Sequence, residues 1–195
     1  MVRTRLLILA TLPLLLALTA GAAAAAPAPT QTITFNLQLN YTSVFGGAFS
    51  APATVSGDIS ADGQFSRLRG TVYAPLGEER LELDPTTPTA VSTDSFGVPW
   101  TRFLGCDMFG CHYEYGWSTF TRQTYSSNVD IRLGNARGNG TLAWQSVPDC
   151  GTTCAPAGAW YQGWFPNGAS SLNGAVTDNK DAGRIYAWGP APQMQ

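Results

Sequence analysis

The segment QTITFNLQLNYT, residues 31–42, alternates apolar and polar side chains without a break. Ile33, Phe35, Leu37, Leu39 and Tyr41 fall on one side, and Thr34, Asn36, Gln38 and Asn40 on the other. A helix of 3.6 residues per turn would scatter these two sets around its circumference, whereas a pleated strand separates them cleanly. The segment is therefore a half-buried strand with one face in a core and one in water.

The same period continues along the chain, and no long helical period competes with it. Residues 53–73, ATVSGDISADGQFSRLRGTVY, read as a hairpin about Asp62-Gly63. A two-residue turn there sets Ile59 against Ser66, Gly57 against Leu68, Val55 against Gly70 and Ala53 against Val72. Asp58 then faces Arg67, and Phe65 falls on the outer, polar side. A one-residue slip would mix the two faces, so the register supports itself. A second pairing joins 128–133 to 141–146 through the Gly-rich GNARGNG, with Leu133 against Leu142 and Ile131 against Trp144. Asn167-Gly168 and Asn173-Gly174 read as turns, and RIYAW at 184–188 as the last strand. Residues 74–97, rich in Pro, Thr and Glu, read as a long connection with at most a short strand around Leu81 and Leu83. The sum is roughly eight to ten short strands. The expected fold class is all-β: a single-domain β-sandwich or jelly-roll-like unit, mostly antiparallel, in preference to an up-and-down barrel.

The first 25 residues have the form of a secretion signal. Arg3 and Arg5 precede the apolar run LLILATLPLLLALTA, and small residues around Ala24 and Ala25 offer the cleavage site. The run is shorter than the ~20 residues that span a bilayer. Residues 26–195 are then one secreted domain of about 170 residues, with 26–31 and 190–195 expected to be flexible. Of the 11 basic residues in the chain, two leave with the signal, so nine face 13 acidic ones. Without a basic stripe the composition argues against nucleic acid, and after signal cleavage nothing argues for a membrane.

Four cysteines in a secreted chain imply two disulfides, for which three connectivities exist. Proximity favours Cys106–Cys111 and Cys150–Cys154. Loop entropy does not decide, giving about 2 kcal/mol for a loop of about six residues and about 4 kcal/mol for one of about forty-five. A zinc site built on the same four cysteines would use wider spacings than the usual Cys-x2-Cys knuckle, in a setting that oxidises thiolates. No metal and no cofactor is expected.

Two segments concentrate chemistry-bearing side chains. In GCDMFGCHYEYGW, residues 105–117, Cys111, Tyr113, Tyr115 and Trp117 share one face of a strand that leaves a cysteine-closed turn. The expectation is a buried aromatic face, with His112 and Glu114 about 7 Å apart on the other side. In AWYQGWFPNG, residues 159–168, Trp160 and Trp164 alternate with Tyr161 and Phe165. Aromatic residues on both sides of one short element cannot all face a single core, so Trp160, Tyr161 and Trp164 are the candidate ligand-binding residues, as a flat platform.

Several reaction types drop out. One histidine forbids sites that need two, and no Gly-x-Ser-x-Gly elbow is present. No catalytic residue is assigned. The expected function is non-catalytic binding of an extracellular polysaccharide or protein, the sequence leaving the oligomeric state open. A small glycosidase-like hydrolase is the first alternative, with Asp107, Glu114, Asp130, Asp149, Glu78, Glu79 and Glu82 as the carboxylates it would draw on. An inhibitor of a secreted enzyme is the second, presenting a cysteine-braced loop at 107–110 or 151–153.

Overall fold

The computed structural model describes residues 30–75, 77–163 and 167–195. The signal segment, Trp164 and Phe165 lie outside the described residues. What is described is nearly all antiparallel strand: β1 (Thr30–Ser43), β2 (Ala48–Ser60), β3 (Leu68–Ala74), β4 (Gly77–Pro85), β5 (Ala90–Asp107), β6 (Gly110–Leu133), β7 (Ala136–Gln145), β8 (Ala159–Tyr161), β9 (Ala169–Thr177), β10 (Ala182–Pro190) and β11 (Gln193–Met194). All belong to one sheet, in the order β4-β3-β2-β1-β10-β9-β7-β6-β5-β8, with β11 on β1. A further pairing of β4 with β6, Leu81 opposite Leu133 through Pro85 opposite Val129, rolls the sheet closed. The all-β, antiparallel, disulfide-bonded class expected from the pattern is the one observed, and its two facing layers are parts of a single rolled sheet. Neighbours around the roll mostly follow sequence order, an up-and-down arrangement, because the strands are longer and the connections shorter than the pattern indicated.

The inward positions of β1 are those of the alternation: Ile33, Phe35, Leu37 and Leu39 are buried. They meet Leu68, Leu81, Leu83, Ile131, Leu142, Leu172 and Ile185 from around the ring. Trp144 sits at the centre, stacked on Tyr125 at 4.9 Å and edge-on to Phe35 and Phe65. A filled interior of this kind leaves no lumen.

The β2–β3 hairpin keeps the expected register at Ala53–Val72 and Val55–Gly70. Nearer the turn it departs by one residue, since Ile59 bridges Phe65 rather than Ser66. The turn has three residues, closed by the Ser60 N–H on the Gln64 carbonyl, with Gly63 at φ 83°. That shift turns Phe65 inward, where it is buried against Trp144. It also removes Arg67 from Asp58, and Arg67 pairs with Asp84 on β4.

Three other expectations are corrected. Residues 74–97 hold β4 and the start of β5 rather than one long connection. Asn173-Gly174 lies inside β9. The segment ARGNG is strand as well, so Ile131 faces Gly138 and Trp144 faces Tyr125. The glycines there serve close approach: a Cβ on Gly138 would stand 1.8 Å from the Ala175 carbonyl oxygen, and one on Gly140 2.8 Å from the Ile131 side chain. Gly138→Ala is therefore expected to destabilise the protein by roughly 1–3 kcal/mol, read as a lower urea midpoint.

Below the roll, the Tyr41 hydroxyl donates to Asp181 at 3.0 Å. Burial, and then the hydrogen bond to that carboxylate, pushes the phenol up to about 12. A raised folded-state value stabilises fully below the ordinary value near 10 and is lost as pH rises towards 12. The stability difference between wild type and Tyr41→Phe is expected to be constant up to about pH 10. It should then shrink across that window in denaturant titrations.

Candidate functional site

β6 is 24 residues long, and the roll uses only part of it. Its last residues pair with β4, while residues 110–126 pair with β5 in a hairpin that continues beyond the closed ring. At the far end Cys106 is bridged to Cys111. Gly105 and Gly110 bracket the tip at φ 133° and 131°, a region open to glycine alone. Asp107 organises the turn by accepting from the Phe109 N–H at 2.8 Å and pairing with His112 at 3.0 Å. The backbone hydrogen bond, followed by the one to His112, holds its carboxyl below the ordinary value.

The strand 111–117 is present as expected, but its aromatic face is not buried. Tyr115 and Trp117 are each 70% exposed, and Tyr113 and Phe103 are exposed beside them. The reason is the projection of the hairpin past the ring: the face that carries Val129 and Ile131 in the core extends outward as Tyr115 and Trp117, where no opposing strand among the described residues covers it. Tyr113 is the hub, 5.5 Å from Phe103, 6.4 Å from Tyr115 and 6.5 Å from Trp160. Relative to the Tyr113 ring, those of Phe103, Tyr115 and Trp160 are inclined at 56°, 39° and 89°, so the surface is uneven, with Trp160 as a side wall, rather than a flat platform. Trp117 lies over Gly97, where a Cβ would come within 3.3 Å of the ring.

Of the residues singled out in 159–168, Trp160 joins this row through β8, opposite Thr101. Tyr161 points to the other face of the sheet and packs edge-on against Phe120 at 5.3 Å. Its hydroxyl accepts from the Ala155 N–H at 2.9 Å, tying down the loop that Cys150–Cys154 closes. Tyr161 is thus a structural link, and Trp164 lies outside the described residues. Phe103 and Tyr113–Trp117 supply the rest of the row. The alternation of Tyr113, Tyr115 and Trp117 was visible in the sequence, but whether that face met a core was not.

Several of the candidate carboxylates have partners of their own. Glu114 pairs with Arg102 at 2.5 Å rather than with His112. Glu82 is buried between Arg80 and Arg132. Asp149 accepts from the Gly151 N–H at 3.0 Å. Asp84 and Asp130 stand opposite each other on the outer wall, beside Arg132 and Arg137 in a depression of about 290 Å³. Asp84 is also paired with Arg67. Asp149, Cys150 and Cys154 cluster, but both sulfurs are used in the disulfide.

Comparison with known proteins adds no relative: no protein-family model, curated protein or solved structure matches the chain. Both disulfides are local, and among the described residues no helix is long and apolar enough to cross a membrane.

Because the Cys106–Cys111 bridge joins residues already paired across β5 and β6, its removal acts locally. The double variant Cys106→Ser/Cys111→Ser is expected to lose no more than about 2 kcal/mol of global stability. Amide hydrogen exchange at 103–113 should accelerate at least tenfold, with the β1 and β10 amides unchanged.

Proposed function

We propose that this protein is a secreted, non-catalytic binding protein that holds an extracellular polysaccharide on the exposed face of the β5–β6–β8 extension. The observation that carries the reading is the row Phe103, Tyr113, Tyr115, Trp117 and Trp160, left in water on a hairpin that the disulfide and the sheet hold rigid. Exposed aromatic surface of this extent costs solubility and marks an interaction site. Aromatic rings offer apolar faces to the C–H faces of sugars, and several rings in a row can meet successive units of a polymer. A preformed sheet loses little freedom on binding. The signal-like N-terminus and the two disulfides support an oxidising, extracellular setting.

A second reading rests on the tip. Met108 and Phe109 are 88% and 86% exposed at the end of the hairpin, the braced protruding loop that an inhibitor of a secreted enzyme would present.

The deciding experiment incubates the mature protein with insoluble polysaccharides and follows its depletion from solution together with released reducing ends. Depletion without released sugar is expected, weakened at least tenfold in Tyr115→Ala/Trp117→Ala and little changed in Met108→Ser/Phe109→Ser. Released sugar would make the protein a hydrolase. If no polymer depletes it, the polysaccharide reading falls; inhibition of a secreted hydrolase, abolished by the tip variant, would establish the second reading.

A further inference from the structure

A second aromatic surface lies on the outer wall of the roll, away from the hairpin row and on the opposite face of the sheet. On β10, Tyr186 and Trp188 point outward, 50% and 45% exposed, with ring centroids 5.5 Å apart and planes only 33° from parallel. An outward face of a closed sheet normally carries polar side chains. Here two large rings stand side by side in its middle, and each is flanked on both neighbouring strands by a hydrogen-bonding side chain. Tyr186 lies between Asn40 on β1 and Asn173 on β9, and Trp188 between Gln38 and Ser171.

Trp188 forms the ridge between two shallow grooves. One, of about 440 Å³, runs towards β2 and is bordered by Asn36, Gln38, Pro52 and Thr54. The other, of about 250 Å³, runs towards β7 and is bordered by Thr124, Gln145 and Ser171. Among the described residues, none that lines either groove carries a charge. The contrast with the rest of the surface is clear: the depression at Asp84 and Asp130 includes two arginines, and the hollow beside Tyr41 includes Glu79 and Asp181. The amides are held in place. The Gln38 amide donates to the Ser50 hydroxyl at 2.7 Å, and the Thr54 hydroxyl donates to the Asn36 carbonyl at 3.0 Å. Those bonds leave the Gln38 side-chain carbonyl and the Asn36 side-chain NH2 without a protein partner among the described residues, one an acceptor and the other a donor.

We infer that this face is a binding site for a neutral glycan, with adjacent sugar rings laid on Tyr186 and Trp188 and their hydroxyls hydrogen-bonded by the flanking amides. Apolar ring faces answer the C–H faces of a sugar, and groups that both donate and accept answer its hydroxyls. The uncharged groove linings select against uronates, sulfated sugars and anionic lipids, because a charge brought into either groove, away from Arg184, would lose water and gain no counter-ion there. Arg184, two positions before Tyr186 on the same face of β10, bounds the site at one end. The proposal uses no residue of the hairpin row and stands whether or not that row binds polysaccharide.

The test is a titration of the intact mature protein with neutral hexasaccharides of glucose, xylose and mannose, alongside a hexauronate. Indole N–H resonances are followed by NMR, the Trp188 signal being assigned by its loss in Trp188→Phe. At least one neutral hexasaccharide is expected to shift that signal saturably. Affinity should fall at least tenfold in Trp188→Ala, recover largely in Trp188→Tyr, and hold in Tyr115→Ala/Trp117→Ala. Should Trp188→Ala not fold, Gln38→Ala and the wild-type signal give the same reading. The inference is overturned if the Trp188 indole is unmoved by every neutral hexasaccharide at millimolar concentration, or if the hexauronate binds equally well. Saturable binding that vanishes with the hairpin variant alone would also overturn it, while leaving the hairpin proposal standing.

Discussion

Everything distinctive about this molecule depends on where β6 divides its partners. Its C-terminal end pairs with β4 and closes the sheet, and the rest pairs with β5. Closure removes the edges that an open sheet of this length would leave for other chains to pair with. It also limits how much of β6 the ring can use. The surplus has nowhere to go except outward, taking β5 with it, so one strand is at once a wall of the core and the backbone of an exposed projection. Val129 and Ile131 are buried, and Tyr115 and Trp117, on the same side of the same strand, are mostly exposed. Their chemistry does not differ enough to explain this; what differs is whether a facing wall exists.

The two halves are stabilised by different means. Inside the ring, dispersion and the hydrophobic effect act through close packing around Trp144, with glycines at 138, 140 and 174 making room for Ile131 and for neighbouring backbone. Outside it, the projection has little core of its own. Its far face is covered by Phe120, Val98 and Tyr161, and it relies further on the Arg102–Glu114 pair, the Cys106–Cys111 bridge and the loop that Cys150–Cys154 holds against β6. Local cross-links and ion pairs at this place substitute for burial, as they do in small disulfide-rich units. The result is a rigid carrier for aromatic side chains that would otherwise collapse onto one another.

The hairpin row and the outer-wall pair contrast in ways that follow from their settings. On the hairpin, Tyr113 and Tyr115, two residues apart on one strand, meet at 39°, while Phe103 and Trp160 from neighbouring strands meet Tyr113 at 56° and 89°, because side chains on a narrow, twisted ribbon splay. On the roll, Tyr186 and Trp188 share the same two-residue repeat and meet at 33°, but their cross-strand neighbours are Asn40, Asn173, Gln38 and Ser171 rather than further rings. Aromatic exposure alone does not define a ligand; the company of charges or amides and the relative tilt of the rings narrow it.

Much of this was legible without coordinates, and the reason is local. The alternation of β1, the inner register of β2 and β3, and the two short-range disulfides follow from periodicity and proximity, which are properties of neighbouring residues. The rest depends on contacts between distant strands or on a single residue of turn length. Gly most often marks a turn, yet the glycines at 138, 140 and 174 each lie under a side chain or beside a backbone from another strand. A two-residue turn puts Phe65 outside and the three-residue turn puts it inside, because the two differ by one position. The apolar alternation of Tyr113–Trp117 implies a core only where something stands opposite. Relations between neighbouring residues are enough to specify that the chain forms strands, which side chains share a face, and which cysteines are near enough to join. Tertiary structure alone decided where the sheet closes, and closure decides which faces become interior, since burial is a relation between strands far apart in the chain.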